Sequence, residues 1–159
     1  MADLLMRNFK FEVNVGALGK MGFQSVSGLE KTIEEIEYRE GSDTLVMRKF
    51  PGQASISNVT FERGFSSDSN LISWINASYN PDAQANAQQS SVDVYQDVVI
   101  TIKDRNGLNQ RQIVLSKCFV VSRQIGDLDA TGNDILLETL EVACSDMREI
   151  RFDGQGAQI

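Results

Sequence analysis

The feature that most constrains the fold of this chain is a run of apolar residues at every second position. Phe9, Phe11, Val13 and Val15 alternate with polar residues near the start of the chain. Successive side chains of a β-strand point to opposite faces, so this period predicts a strand with one face on a core. The same period recurs at Val98, Ile100 and Ile102, and again at Leu140, Val142 and Cys144. The sequence therefore predicts a mainly β fold.

Turn signals and further apolar runs complete the predicted strands. The dipeptide Asn106-Gly107 lies between two of these runs and is typical of a hairpin turn. Residues 26–40 stay ambiguous, because Ile33 and Ile36 have helical spacing in a Glu-rich segment that also suits an extended ribbon. Strands are predicted over residues 9–15, 55–65, 92–103, 112–122 and 135–144, and loops over 41–52, 83–91 and 126–134.

One helix is predicted, over residues 69–79. Side-chain oxygens at residues 67–69 can cap its free amides, and Leu71, Ile72 and Ile75 form one apolar stripe. Trp74 lies on this helix; we interpret it as a packing residue, with a subunit contact as the alternative. The architecture expected from these elements is an antiparallel sandwich or barrel flanked by one helix, in one domain spanning residues 1–159.

The composition excludes several classes of function. The 159 residues include no His, which removes the commonest general base and the commonest metal ligand. The net charge of −7 argues against binding to nucleic acid or to an anionic membrane. No secretory signal or long apolar run is present, so we expect Cys118 and Cys144 to be reduced and buried in a cytoplasmic setting. We expect no cofactor, no metal and no enzymatic activity.

Two acidic patterns have a functional and a plain interpretation. Asp127-Leu-Asp129-Ala-Thr131-Gly132, with Glu138 at the twelfth position, approaches the calcium loop of an EF-hand. We favour an inter-strand turn that uses Asx side chains, because the loop departs from the pattern and strands flank it. The acid run that includes Glu30, Glu34, Glu35 and Glu37 could supply a catalytic carboxylate pair, but it more often forms a solvated face.

The ordered series of motifs resembles the tail tube proteins of contractile phage tails, a family shared with the inner tubes of phage-derived contractile injection systems. The resemblance covers about residues 9–145. The matching segments are, in chain order, Phe9-Lys-Phe-Glu-Val13, Gly22-Phe23, Val26-Ser-Gly-Leu29, Ile36-Glu-Tyr-Arg-Glu-Gly41, Arg48-Lys-Phe-Pro-Gly52, Asn58-Val-Thr-Phe-Glu-Arg-Gly64, Trp74-Ile75, Val99-Ile-Thr-Ile-Lys-Asp104, Asp127-Leu-Asp-Ala130 and Glu138-Thr-Leu-Glu141. One departure is Cys118-Phe119-Val120-Val121, where family members commonly carry an aromatic residue followed by Ala and Pro.

The resemblance implies a sandwich of two sheets with a flanking helix, and a structural role. Six copies would form a ring around a channel, and rings would stack into a tube inside a contractile sheath. The channel would conduct phage DNA into the host without binding it specifically. The alternatives are the inner tube of an injection system and a secreted ring carrier, both of which deliver protein effectors.

The resemblance also implies partners and contact residues. Besides further copies of itself, the chain would contact the sheath, baseplate initiator, tail terminator and tape measure proteins. It would be made in the host cytoplasm and become part of the virion tail. We expect no contact with a membrane. We expect residues 1–8 to be an arm, 41–52 an inter-subunit loop and 146–159 a C-terminal tail. The subunit interface would include Arg48, Lys49, Phe50, Pro51 and Trp74, and candidates for the lumen are Glu30, Glu34, Glu35 and Glu37.

Overall fold

The computed structural model describes residues 10–38, 41, 47–65, 68–79, 93–153 and 158–159. These contain one α-helix, α1 (Ser69–Tyr79), and a short 3₁₀ turn, Gly16–Leu18. The strands of the described residues are β1 (Phe11–Val15), β2 (Gly19–Met21), β3 (Ser25–Ser27), β4 (Lys31–Tyr38), β5 (Arg48–Ile56), β6 (Val59–Gly64), β7 (Gln96–Lys103), β8 (Asn109–Ile125), β9 (Leu137–Ala143) and β10 (Asp146–Arg151).

The long strand β8 joins two antiparallel sheets. Its first half pairs with β7 and β10, and its second half pairs with β9. Between the halves, Lys117 has a φ of 51°, a backbone conformation that bends the strand. The first sheet runs β2-β1-β7-β8-β10 and the second runs β8-β9-β6-β3, while β4 and β5 pair as a separate ribbon. The predicted antiparallel architecture of two sheets with one flanking helix is confirmed.

The core lies between the inward faces of these sheets and α1. Val13 and Val15, from the first predicted strand, are both 1% exposed, and Val59, Phe61, Leu115 and Val142 are buried with them. The buried residues of β6 and β9 alternate with half-buried ones, which is the period that the sequence displays. Apolar burial of this kind is the main stabilising contribution to the fold.

The helix has the bounds predicted for it, but its buried stripe differs from the expected one. The Asp68 carboxylate accepts a hydrogen bond from Asn70 N (3.1 Å) and so caps the first turn. Leu71, Trp74 and Ala77 are the buried residues, whereas Ile72, predicted to be on the stripe, is exposed. Positions 71, 74 and 77 are three apart, so they follow the same side of the helix and face β8.

Three predicted boundaries are wrong. The segment 41–52 was expected to be a loop, but residues 48–52 belong to β5, paired with β4. The single strand expected over residues 55–65 is two strands, since β5 ends at Ile56 and β6 begins at Val59. The expected tail 146–159 begins with β10, which pairs with β8 over its whole length. Residues 1–9, 39–40, 42–46, 66–67, 80–92 and 154–157, and the predictions made on them, lie outside the described residues.

The predicted turn between β7 and β8 is confirmed. Asp104 Oδ1 accepts hydrogen bonds from Asn106 N (2.8 Å) and Leu108 N (2.9 Å), and Asp104 N donates to Leu108 O (3.0 Å). Gly107 follows with a φ of 83°, which favours glycine. The Asp104 carboxylate therefore organises the turn that connects β7 to β8.

Replacing Asp104 with Ala is expected to lower the free energy of unfolding by about 1–2 kcal/mol, because two turn amides lose their acceptor. The variant Asp104→Asn keeps an oxygen at the same position and should lose less than half as much. Urea unfolding followed by circular dichroism measures both. Equal losses for the two variants would contradict this role of the carboxylate oxygen.

Candidate functional site

The most exposed regular structure of the described residues is the two-stranded ribbon β4-β5. Every residue of β4 is exposed, and so is every residue of β5 except Gly52 and Ile56. Lys31 ties the base of the ribbon to β10, through Asp146 (3.6 Å) and the Met147 carbonyl (3.4 Å). Among the described strands, none other pairs with β4 or β5, and natural proteins rarely leave such strand edges uncovered.

The ribbon has one apolar and one charged face. Its register pairs Ile36 with Phe50 and Tyr38 with Arg48, and the rings of Tyr38 and Phe50 meet edge to face at 6.3 Å. Ile36, Tyr38 and Phe50 are 49%, 51% and 48% exposed, so this apolar face is half open to solvent. A Cβ on Gly52 would come within 3.0 Å of Ile36 Cγ1, so the glycine lets the two strands lie close.

The opposite face carries most of the ribbon's charges, whereas Glu34 and Arg48 lie beside the apolar side chains. Strand alternation places Ile33, Glu35 and Glu37 of β4 on this face, with Lys49 and Pro51 of β5 beside them. Lys49 Nζ lies 2.6 Å from Glu35 Oε1. The register shift between Ile33 and Glu35 comes from one extra residue in β5, so the alternation of β4 itself is unbroken.

The structure brings most of the sequence-predicted site residues together on this ribbon. Arg48, Lys49, Phe50 and Pro51 are consecutive and exposed on β5, and Glu34, Glu35 and Glu37 are exposed on β4. Glu34 falls on the face of Ile36 and Tyr38, away from the other two acids. Glu30 precedes β4, and its side chain accepts a hydrogen bond from Thr32 Oγ1 (3.3 Å).

Trp74 does not join the other candidates. It is 1% exposed, and its Nε1 donates a hydrogen bond to the Val94 carbonyl (3.0 Å). The packing interpretation of this residue is therefore confirmed. A side chain this deep in its own subunit offers no surface to a neighbour.

Sequence reasoning missed a second exposed apolar surface, at the edge of β8. Beyond Cys118 this strand has β9 on one side and no paired strand of the described residues on the other. Tyr95, Phe119 and Val121 lie there, 61%, 37% and 49% exposed, and the first two rings meet edge to face at 6.0 Å. The run Phe119-Val-Val121 could have signalled it, because three consecutive apolar residues cannot all face one core.

A buried ion-pair network lies on the inward face of the second sheet. Glu138 is 1% exposed and binds both Arg63 Nε (3.3 Å) and Arg123 Nε. Arg63 also bonds Asp68 Oδ2 (3.3 Å), and its guanidinium lies 5.7 Å from the centre of the Phe23 ring. Two arginines and two carboxylates thus balance in charge and link β6, β8, β9 and the helix cap.

This network decides between the two interpretations of the loop at residues 127–138. The Glu138 carboxylate, which would complete a calcium loop, is held by two guanidinium groups instead. Asp129 Oδ1 accepts hydrogen bonds from Thr131 N (2.9 Å) and Thr131 Oγ1 (2.8 Å), which lower the pKa of its carboxyl group. The loop is an Asx turn, as the favoured interpretation predicted.

No helix in the described ranges is long and apolar enough to cross a membrane. Within the same ranges, no three His, Cys, Asp or Glu side chains converge in a cluster that could hold a metal ion.

Comparisons with known proteins agree with this architecture. Residues 7–148 match the family model described as T4-like virus tail tube protein gp19. A chain of the sheath-tube complex of the extracellular contractile injection system PVC, in its extended state, is 28% identical, with 93% of each chain covered and a TM-score of 0.74. A chain of the six-fold symmetrised baseplate of the anti-feeding prophage is 26% identical, with 96% of this chain and 99% of that one covered and a TM-score of 0.76.

More distant structures share the fold alone. Hcp1 from Flavobacterium johnsoniae is 14% identical, with 95% of this chain and 98% of that one covered and a TM-score of 0.51. Comparison with curated proteins gives no match. A family match over residues 7–148 covers most of the chain, including both sheets, the helix and the exposed ribbon. The chain belongs to the T4-like tail tube protein family and is a structural subunit of a contractile tail or injection system, not an enzyme.

Proposed function

We propose that this subunit forms six-membered rings that stack into the inner tube of a contractile phage tail, and that the channel of the tube conducts DNA into the host. The family supports the tube, and the six-fold symmetry of the anti-feeding prophage baseplate supports the ring. The sheath, the baseplate initiator, the tail terminator and the tape measure protein are the proposed partners in the virion. The sheath-tube complex and the baseplate, each of which contains a chain similar to this one, support the first two of these.

The observation that carries this proposal is the half-exposed apolar face of the ribbon β4-β5. Ile36, Tyr38 and Phe50 are about half exposed, although an isolated subunit would gain from covering them. In a tube, a neighbouring copy of the subunit would cover this apolar face in every subunit. The exposed side chains of Phe119 and Val121 on β8 are a second proposed contact, because closing a ring covers apolar surface and strand edges that would otherwise aggregate.

The charged face of the ribbon is the proposed lining of the channel. If the apolar face lies against a neighbour, Glu35, Glu37 and Lys49 point the other way, two acids against one lysine, so Lys49 would leave the expected subunit interface. DNA carries one charge per roughly 1.7 Å of its axis, so an acidic wall repels it and lets it slide, whereas a basic wall would hold it. The net charge of −7 agrees with such a wall.

Reversing this charge is expected to convert the channel into a DNA-binding one. Tubes of the Glu35→Lys, Glu37→Lys double variant should retain short DNA at low salt and release it as salt rises, while wild-type tubes retain none. Fluorescence anisotropy of labelled DNA measures this. Asp127→Lys with Asp134→Lys, in the exposed loop between β8 and β9, makes the same change in charge elsewhere on the subunit and is the control. Equal retention by both double variants would contradict a luminal position of the two glutamates.

A second candidate function is delivery of a protein effector by an injection system. The 28% identical chain of the PVC complex favours it. The same acidic channel would then suit a cargo that is not itself strongly acidic. A carrier that acts as a free ring differs from both, because it does not stack.

Negative-stain electron microscopy over a range of protein concentrations, with mass photometry to count subunits, tests the proposal. Hollow filaments built from six-fold rings are expected. Closed rings that never stack would favour the free carrier. A monomer at every concentration, including with added baseplate initiator, would contradict self-assembly.

A further inference from the structure

The two cysteines of the chain lie opposite each other across β8 and β9. The register pairs Phe119 with Ala143, so antiparallel pairing sets Cys118 opposite Cys144. Both cysteines are free thiols. Facing residues of an antiparallel pair have Cα atoms about 4.5–5.5 Å apart, within the range of roughly 4.4–6.8 Å that a disulfide spans.

The pair stands at the corner where the two sheets meet. Lys117, the bend of β8, precedes Cys118, and the chain passes Cys144 as it leaves β9 for β10. Beside them Ser145 N donates a hydrogen bond to the Ser116 carbonyl (2.9 Å). A disulfide here would link β8 to the connection between β9 and β10, at the point where the chain passes from one sheet to the other. It would therefore fix the two sheets relative to each other.

The two thiols differ in access. Cys118 is fully buried and donates to the Leu115 carbonyl (3.3 Å), and burial raises its pKa to about 12. Cys144 is only half-buried, and burial raises the pKa of its thiol as well. Both are therefore protonated thiols at neutral pH and stay reduced in a reducing cytoplasm. An oxidant in solution reaches Cys144 first.

We propose that Cys118 and Cys144 form an oxidation site that takes a low-molecular-weight disulfide, such as oxidised glutathione, and becomes an intramolecular crosslink. The Cys144 thiolate attacks the small disulfide, forms a mixed disulfide and expels one thiol. Cys118 then loses its proton and attacks the Cys144 sulfur, which releases the second thiol. Two protein thiols are oxidised to one disulfide while the small disulfide is reduced to two thiols.

The crosslink would stabilise the subunit after the particle leaves the cell. The inference rests on the proposed function only in one respect, which is that the subunit reaches an oxidising environment outside the cell. Closing the segment between residues 118 and 144 restricts the unfolded chain, and we expect the melting temperature to rise by about 10 °C. Assembly itself does not require the crosslink, since the tube forms in the cytoplasm.

The test uses the free full-length subunit incubated with oxidised glutathione under native conditions. Intact mass spectrometry should find a loss of two hydrogens with no bound glutathione, and the melting temperature should rise and return after reduction with dithiothreitol. Cys118→Ser should stop at a glutathione adduct on Cys144, and Cys144→Ser should stay unmodified because Cys118 is buried. Cys118→Ala replaces the first variant if circular dichroism finds that variant unfolded.

Three results would overturn the inference. They are a wild-type subunit that keeps both thiols, an adduct on Cys144 that never closes, and a crosslink that leaves the melting temperature unchanged or lower. The mass of the free subunit does not depend on polymerisation. A failure of the crosslink is therefore distinct from a failure to form tubes.

Discussion

Replacing Glu138 with Gln is expected to lower the free energy of unfolding by about 3–5 kcal/mol. The side chain is 1% exposed and binds Arg63, which is itself buried, and Arg123, which is partly buried. Gln keeps nearly the same volume but removes the charge, so the two guanidinium groups face each other without a carboxylate between them. A loss of this size lowers the melting temperature by about 10 °C for a chain of this length.

The matched control lies on the same strand. Glu141 faces outward, where it accepts a hydrogen bond from Asn58 Nδ2 (2.9 Å), and Glu141→Gln should cost less than about 1 kcal/mol. Urea unfolding of both variants, with the slopes compared, measures the difference. A loss under about 1 kcal/mol for Glu138→Gln would contradict the role of the Glu138 charge in holding the two guanidinium groups.

The double variant Ile36→Ser, Phe50→Ser is expected to raise the protein concentration needed for tube formation more than hundredfold while leaving the subunit folded. The two side chains pair across the ribbon and are about half exposed in the isolated subunit. Burying the exposed parts of Ile36 and Phe50 against a neighbouring subunit would stabilise each subunit contact by about 3 kcal/mol. This corresponds to a more than hundredfold change in the concentration needed for assembly. Sedimentation of polymer at increasing protein concentration measures that threshold.

The opposite face of the same strand provides the control. Ile33 is 57% exposed and lies with Glu35 and Glu37, so Ile33→Ser removes a similar side chain without touching the proposed contact. Its tubes should form at the wild-type concentration. Polymerisation of the double variant at that same concentration, or loss of assembly in both variants, would contradict the assignment of the two faces.

The sequence predicted those elements whose signal is local. The alternation at Val13 and Val15 placed a core strand, and the capping side chain of Asp68 placed the start of the helix. The turn at Asn106-Gly107 followed from the backbone conformation that Gly107 permits. Each of these signals depends on residues within a few positions of one another, so no knowledge of tertiary contacts was needed.

Other features depend on contacts that are distant in the chain. Ile33 and Ile36 imitate helical spacing because they lie on opposite faces of β4, and only the pairing with β5 makes this visible. In β10, Met147 and Ile150 are also three apart, so the strand lacked an apolar alternation and was expected to be part of the tail. Glu138 lay on a predicted strand, but its ion pair could not be predicted because its partner Arg63 lies 75 positions away.

Cryo-electron microscopy of the assembled polymer tests the central claim most directly, because it locates the two faces of the ribbon β4-β5. The account predicts six-fold rings in which Ile36, Tyr38 and Phe50 pack against a neighbouring subunit and Glu35 and Glu37 line an open channel. A tube whose apolar ribbon face lies against solvent or in the channel would contradict it.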